Sequence, residues 1–138
     1  MSIFSALGFQ FDLQILAIIA EHYDNYEQAK QATQGIRDNN PLLEVPEPAL
    51  TIAYLRDYLR QTATPAAFRN ATLRQQTAFV RSSLARLQRR GDVQYSTGTG
   101  LRGRQARCFE IRTLGRQSLR EQGVYREMIR EIAAGRSG

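Results

Sequence analysis

The hydrophobic pattern of the chain changes its period at Gly91. Before this glycine, four apolar residues fall at steps of seven, four and three, as one buried helix face requires: Leu73, Val80, Leu84 and Leu87. After it, apolar and polar residues alternate over 93–95 and again over 109–111, which is the pattern of strands. Glycine is the residue that most readily terminates a helix. A long helix therefore ends at Arg90 and leads into a β-hairpin with a glycine-rich tip.

Helical spacing predicts two segments before this long helix. A third is predicted by Thr64 followed by Pro65, which is typical of an N-cap with proline at the first helical position. The first covers residues 12–36, after an irregular apolar start over 1–10, and a break at 24–25 stays open. The second covers about 48–61, and a short third covers about 65–71. After the hairpin, Thr113 caps a last helix that begins near Leu114.

These segments divide the chain into three parts. Residues 1–47 form an N-terminal helical extension for packing or dimerisation, 48–122 form the central domain, and 123–138 form a C-terminal helix that can also dimerise. A chain of 138 residues buries enough surface to fold without a disulfide or a metal. The predicted class is mainly α with a small β-hairpin (α+β).

Charge is distributed unevenly along the sequence. The formal net charge is +6, yet residues 1–50 hold seven acidic side chains and only two basic ones. Residues 69–107 hold nine arginines against Asp92 alone. Arginine pairs bidentately with phosphate and with guanine, so this clustering indicates an anionic partner. A genome-wide preference for Arg over Lys would explain the residue type but not the clustering.

Two segments give this order of elements a resemblance to a known class. They read Val80-x-x-x-Leu84-x-Arg86-Leu87-x-x-Arg90-Gly91-x-Val93 and Phe109-Glu110-Ile111-Arg112-Thr113-Leu114-Gly115-Arg116-x-x-Leu119. The first resembles the end of the recognition helix in PadR- and MarR-type transcriptional regulators. The second is similar to the segment that leaves the wing in those families, with the threonine one position later. The resemblance covers about 48–122. It implies a winged helix-turn-helix with extra N- and C-terminal helices, which binds double-stranded DNA to regulate transcription.

A recognition helix in the major groove meets base edges with its exposed side chains, where Arg suits guanine and Gln suits adenine. Whether this helix begins near Thr72 or near Gln76 stays open. Arg102 and Arg104, between the glycines of the hairpin tip, are expected at phosphates or in an adjacent minor groove. The candidate DNA-binding residues are Arg69, Arg74, Gln75, Gln76, Arg81, Ser82, Arg86, Arg102, Arg104 and Arg107.

The apolar residues of the first and last helices exceed what a compact winged-helix core needs. Left exposed, they would give a monomer large apolar patches. A two-fold dimer would bury them and place two recognition helices about one DNA turn apart. The alternative is that the N-terminal helix folds back on its own domain. The candidate dimerisation residues are Leu16, Ile19, Tyr23, Met128, Ile129 and Ile132.

Other functions find less support in the sequence. The longest apolar stretch, 15–20, is far short of the roughly 20 residues that span a bilayer, so we expect no membrane segment. A single cysteine cannot form an internal disulfide, so we expect a cytoplasmic protein. A lone His22 and a lone Cys108 exclude the common zinc sites, and we expect no metal, no cofactor and no enzyme activity. Cys108 is expected to be a buried apolar residue, with a redox sensor as the alternative. Tyr54 and Tyr58 are expected in the core.

Two alternatives to a transcriptional regulator stay open. One is a winged-helix interaction module of a larger assembly, in which the basic face meets an acidic protein or RNA. The other is a plasmid or phage replication or partition protein that binds DNA. A small-molecule or protein effector is compatible with each, and the sequence does not specify one.

Overall fold

The computed structural model describes residues 3–39, 45–62, 65–99 and 105–122. Its elements are, in order, α1 (Ile3–Asn39), α2 (Ile52–Arg60), α3 (Ala66–Arg69), α4 (Leu73–Arg89), β1 (Val93–Thr99), β2 (Gln105–Ile111) and a helix α5 over residues 113–122. The predicted class, mainly helical with a small antiparallel hairpin, is confirmed.

Helix α1 folds back onto the rest of the chain and supplies one side of its core. It contacts α3, α4 and β2. Its most deeply buried side chains are at most 1% exposed: Phe11, Ile15, Leu16 and Ile19. The prediction that Leu16 and Ile19 lie in a dimer interface is therefore wrong, because the chain's own core already covers both. Tyr23 is half-buried at the edge of this core, where burial and then the charges of Glu47 and Glu110 raise the pKa of Tyr23 to about 12.

Helix α1 also begins earlier than expected. The irregular start predicted for residues 1–10 is wrong from Ile3 onward, and the helix continues through 24–25 without a break. Gly8 suggested an irregular segment, yet the preceding Leu7 and the buried Phe11 keep the four-residue spacing of a helix. One glycine costs a helix interior only about 1 kcal/mol, which tertiary packing outweighs.

The start of α4 is fixed by a capping box. The Thr72 hydroxyl accepts from the Gln75 backbone N–H at 3.2 Å, and the Gln75 side-chain oxygen accepts from the Thr72 N–H at 3.0 Å. The helix therefore begins at Leu73, and the start near Gln76 is ruled out. Leu73 is 51% exposed, contrary to the prediction that it faces the core, because it lies almost a turn before the first buried residue of α4.

The end of α4 is a Schellman motif. Gly91 has φ +80°, its N–H donates to the Gln88 carbonyl at 3.0 Å, and the Asp92 N–H donates to the Leu87 carbonyl at 2.9 Å. The prediction that the helix stops at Arg90 is confirmed, since Arg90 is its C-cap.

The hairpin is longer than predicted. Its strands pair from Val93 with Ile111 to Thr99 with Gln105, so residues expected in the tip are paired strand residues. On the other edge of β2, the Phe109 N–H donates to the Leu50 carbonyl at 2.9 Å. The segment before α2 thus adds one strand-like backbone contact to the sheet.

Two predicted packing roles need correction. Tyr54 is 39% exposed, and its ring stacks on Tyr58 at a centroid distance of 6.2 Å. The Tyr54 hydroxyl lies 2.8 Å from His22 Nε2, and His22 Nδ1 lies 2.8 Å from the Ile18 carbonyl oxygen, so the imidazole connects α1 to α2. Cys108 is only half-buried.

Candidate nucleic-acid interface

Helix α4 has one face in the core and one face open to solvent. The buried residues are Gln76, Phe79, Val80, Ser83, Leu84 and Leu87. On the open face, Arg74, Arg81 and Ala85 are exposed and Ala78 is half-buried. We call these four residues the open row of α4. Their steps of four, three and four keep them on one side of the helix. The two alanines end at Cβ, so a partner can approach the helix closely between the arginines.

The two arginines of the open row are available to a partner. Within the described parts of the chain, no carboxylate lies within ion-pair distance of Arg74 or Arg81. Arg69, at the end of α3, is exposed as well and also lacks such a pair there. An anion reaching this face therefore does not have to displace an internal counter-ion.

A three-residue turn, Asn70 to Thr72, joins α3 to α4, and Gln76 holds the two helices together. The Gln76 amide nitrogen donates to the Phe68 carbonyl at 2.9 Å, and Gln76 is 4% exposed. The prediction that Gln76 reads a base is wrong, because its amide satisfies a buried carbonyl at the end of α3. Gln75 is exposed, but its side-chain oxygen is engaged in the capping box.

Arg86 is also placed differently from the prediction. Its Nε lies 2.9 Å from Asp12 Oδ2 and its Nη2 lies 2.8 Å from Asp12 Oδ1, a bidentate pair with a carboxylate that is 2% exposed. These hydrogen bonds raise the pKa of Arg86. Arg86 is thus neutralised by α1, and the structure corrects its assignment to the DNA-binding set.

Asp12 is the residue that sequence reasoning missed. It also accepts from the Ser83 hydroxyl and lies 3.6 Å from Arg90 Nη2. A signal for it existed, since Asp12 is the only charged side chain among the first 20 residues. A lone carboxylate in an apolar run indicates a buried partner of opposite charge.

The hairpin carries one described arginine of the predicted set. Arg107 is exposed, and its guanidinium carbon lies 4.6 Å from the centroid of the Tyr95 ring, within cation–π distance. Ser82 of α4 is half-buried. Arg102 and Arg104 lie outside the described residues, as do Met128, Ile129 and Ile132 of the predicted dimer interface.

The structure therefore places Arg74, Gln75 and Arg81 on the open side of α4 and removes Gln76 and Arg86 from it. No protein-family model matches the chain, and neither the curated proteins nor the solved structures contain a match. No helix in the described ranges has the length and apolarity needed to cross a membrane. In the same ranges, no three His, Cys, Asp or Glu side chains lie together as a metal site.

Proposed function

We propose that this protein binds double-stranded DNA through α4 and acts as a transcriptional regulator of the winged-helix type. The observation that carries the proposal is the open row of α4. Arg74 and Arg81 stand exposed with Ala78 between them, on a helix that a short turn joins to α3. The major groove of B-DNA is about 12 Å wide and accepts one helix, so an exposed helix face with arginines is suited to it.

The surrounding elements support a winged-helix arrangement. A helix–turn–helix unit, α3 and α4, is followed directly by the β1–β2 hairpin, and the Leu50–Phe109 backbone bond adds a strand-like segment to the hairpin's other edge. Arg107 lies on the hairpin. The sequence places Arg102 and Arg104 between its strands, where we expect them to contact phosphates or an adjacent minor groove. This order of elements is the one that the sequence resemblance implies.

The experiment is a fluorescence anisotropy titration of the full chain with a labelled pool of random duplexes at two salt concentrations. For the wild type, log K should fall with log[salt] by about 0.9 for each phosphate contact. The Arg74→Ala/Arg81→Ala double variant should bind the random pool measurably more weakly than the wild type, because it loses two cations that face the groove. The larger loss is expected on a preferred sequence, where the two arginines contact base edges.

The matched control is Arg120→Ala, which removes an exposed arginine of a different helix, α5. It should bind duplex as the wild type does. Equal losses in both variants, or no duplex binding at low salt, would contradict the proposal. Competition that favours an RNA hairpin or an acidic protein over duplex DNA would support an interaction module instead.

We also propose that the protein is a homodimer, although Leu16 and Ile19 cannot supply its interface. The predicted interface residues that remain are half-buried Tyr23 and the C-terminal residues Met128, Ile129 and Ile132. Light scattering across a concentration series measures the oligomeric state, and a monomer at high micromolar concentration would remove this part of the proposal.

A further inference from the structure

Three residues of the open row lie on the solvent side of α4 within two helical turns. Arg74, Ala78 and Arg81 follow one another at steps of four and three residues. Seven residues turn the helix by almost two full turns and advance it by about 10.5 Å, so the two arginines lie on the same side. Zinc-finger helices enter the major groove at an angle, and three residues within about two turns then contact three successive bases. At a similar docking angle, Arg74, Ala78 and Arg81 cover about three consecutive base pairs.

The structure also limits which bases the open row can contact. The sequence offered both Arg and Gln, which suit guanine and adenine respectively. The fold commits Gln75 to the capping box and buries Gln76 against the Phe68 carbonyl. Among the Arg and Gln side chains from Arg74 to Arg81, the two arginines are therefore the ones that no hydrogen bond within the described fold engages.

Ala78 differs from its neighbours because it carries no hydrogen-bonding group. It cannot satisfy the donors and acceptors of a G·C edge, whereas an alanine methyl makes apolar contact with the thymine methyl group. Its small side chain also lets the backbone of α4 approach the base pair between the arginines. The position opposite Ala78 thus favours an A·T pair over a G·C pair.

We propose that α4 recognises a triplet in which two G·C pairs flank one A·T pair. Arg74 and Arg81 each pair bidentately with the O6 and N7 atoms of a guanine, and Ala78 faces the thymine methyl. This inference rests on the proposed DNA-binding function and adds the class of DNA sequence that it selects.

The test is selection of duplexes from a randomised library with the full wild-type chain, followed by the same selection with three variants. The wild type should enrich two guanines separated by one A·T pair, on either strand. Arg74→Ala and Arg81→Ala should each relax one of the two guanine positions and keep the other. Arg120→Ala should return the wild-type motif.

Affinity measurements on the enriched duplex complete the test. Each arginine variant should lose roughly 5- to 150-fold on the best triplet, with a much smaller loss on random duplex. Arg81→Lys keeps the charge but not the bidentate geometry, so it should lose most of the same preference.

The outcomes separate this inference from the function on which it rests. If the protein binds duplex DNA but the selection does not enrich two guanines separated by one A·T pair, the triplet proposal is wrong and the proposal of DNA binding is retained. Equal losses on all sequences would show that the arginines contact phosphates, which overturns the triplet as well. Absence of duplex binding at low salt would overturn both proposals.

Discussion

Replacing Asp12 with alanine should lower the free energy of unfolding by about 3 kcal/mol. The Asp12 carboxylate is 2% exposed and accepts hydrogen bonds from Ser83 and, twice, from Arg86. Without it, the guanidinium of Arg86, whose side chain is 35% exposed, keeps its charge with no partner on α1. Removing one partner of a buried pair costs more than the pair contributes, because the other charge is left uncompensated. Urea unfolding followed by far-UV circular dichroism measures the effect.

The same helix offers a matched control. Asp24 of α1 pairs with Arg116 of α5 at 2.7 Å, but their side chains are 55% and 39% exposed. An exposed pair contributes about 0–1 kcal/mol, so Asp24→Ala should barely move the midpoint. Arg86→Leu combined with Asp12→Ala should recover part of the loss, since the double variant no longer contains a charged Arg86 without its partner. If Asp12→Ala costs no more than Asp24→Ala, the buried pair does not hold α1 on α4.

These pairs change the meaning of the charge asymmetry in the sequence. The acidic first half suggested that the basic second half awaits an external anion. In the structure, Asp12 forms ion pairs with Arg86 and Arg90, and Asp24 forms one with Arg116. Part of the positive charge of the second half is therefore neutralised by acidic residues of the first half. Fewer arginines are left for a partner, and Arg74 and Arg81 of the open row are among them. The internal pairs thereby define the candidate interface more sharply than the charge count does.

Local signals in the sequence predicted the elements that depend on local physics. Gly91 and the change of period after it gave the end of α4 and the hairpin correctly, because a Schellman motif and a two-residue alternation are both local. The burial of Leu16 and Ile19 within the monomer depends on which helices meet in space. An apolar helix face looks the same whether a second copy or the same chain covers it, so the sequence could not decide.

In the candidate site, too, the sequence predicted the effects of local spacing better than the contacts between distant residues. Arg74 and Arg81 stay exposed as predicted from their positions off the apolar stripe. Arg86 also stood off that stripe, yet the Asp12 carboxylate, distant in the sequence, holds it. Gln76 lies four residues before Val80, on the stripe itself, so its burial against the Phe68 carbonyl agrees with the helical pattern. A helical pattern reports which side of a helix is apolar, but not which polar groups at its border find buried partners.

Gly115→Ala should also cost about 3 kcal/mol or more, for a purely steric reason. A Cβ on Gly115 would lie 2.2 Å from the Asp92 carbonyl oxygen and 3.0 Å from Ile111 Cγ1. The carbonyl cannot move away easily, because it accepts from the Arg112 N–H at 2.9 Å while the Asp92 N–H closes the end of α4. The start of α5 must therefore shift, which also strains the 2.9 Å hydrogen bond from Ser118 to the Asp92 carboxylate.

The same substitution at Gly35 is the control for the change in residue type alone. A Cβ there meets nothing within 4 Å, and Gly35 lies in the exposed part of α1. Alanine is the better helix former, so Gly35→Ala should raise the free energy of unfolding by about 0.5–1 kcal/mol. Thermal and urea unfolding of both variants should therefore move in opposite directions. Similar shifts in the two would contradict the close approach of α5 to the turn after α4. The predicted contrast makes that contact, rather than backbone freedom, the reason a glycine stands at position 115.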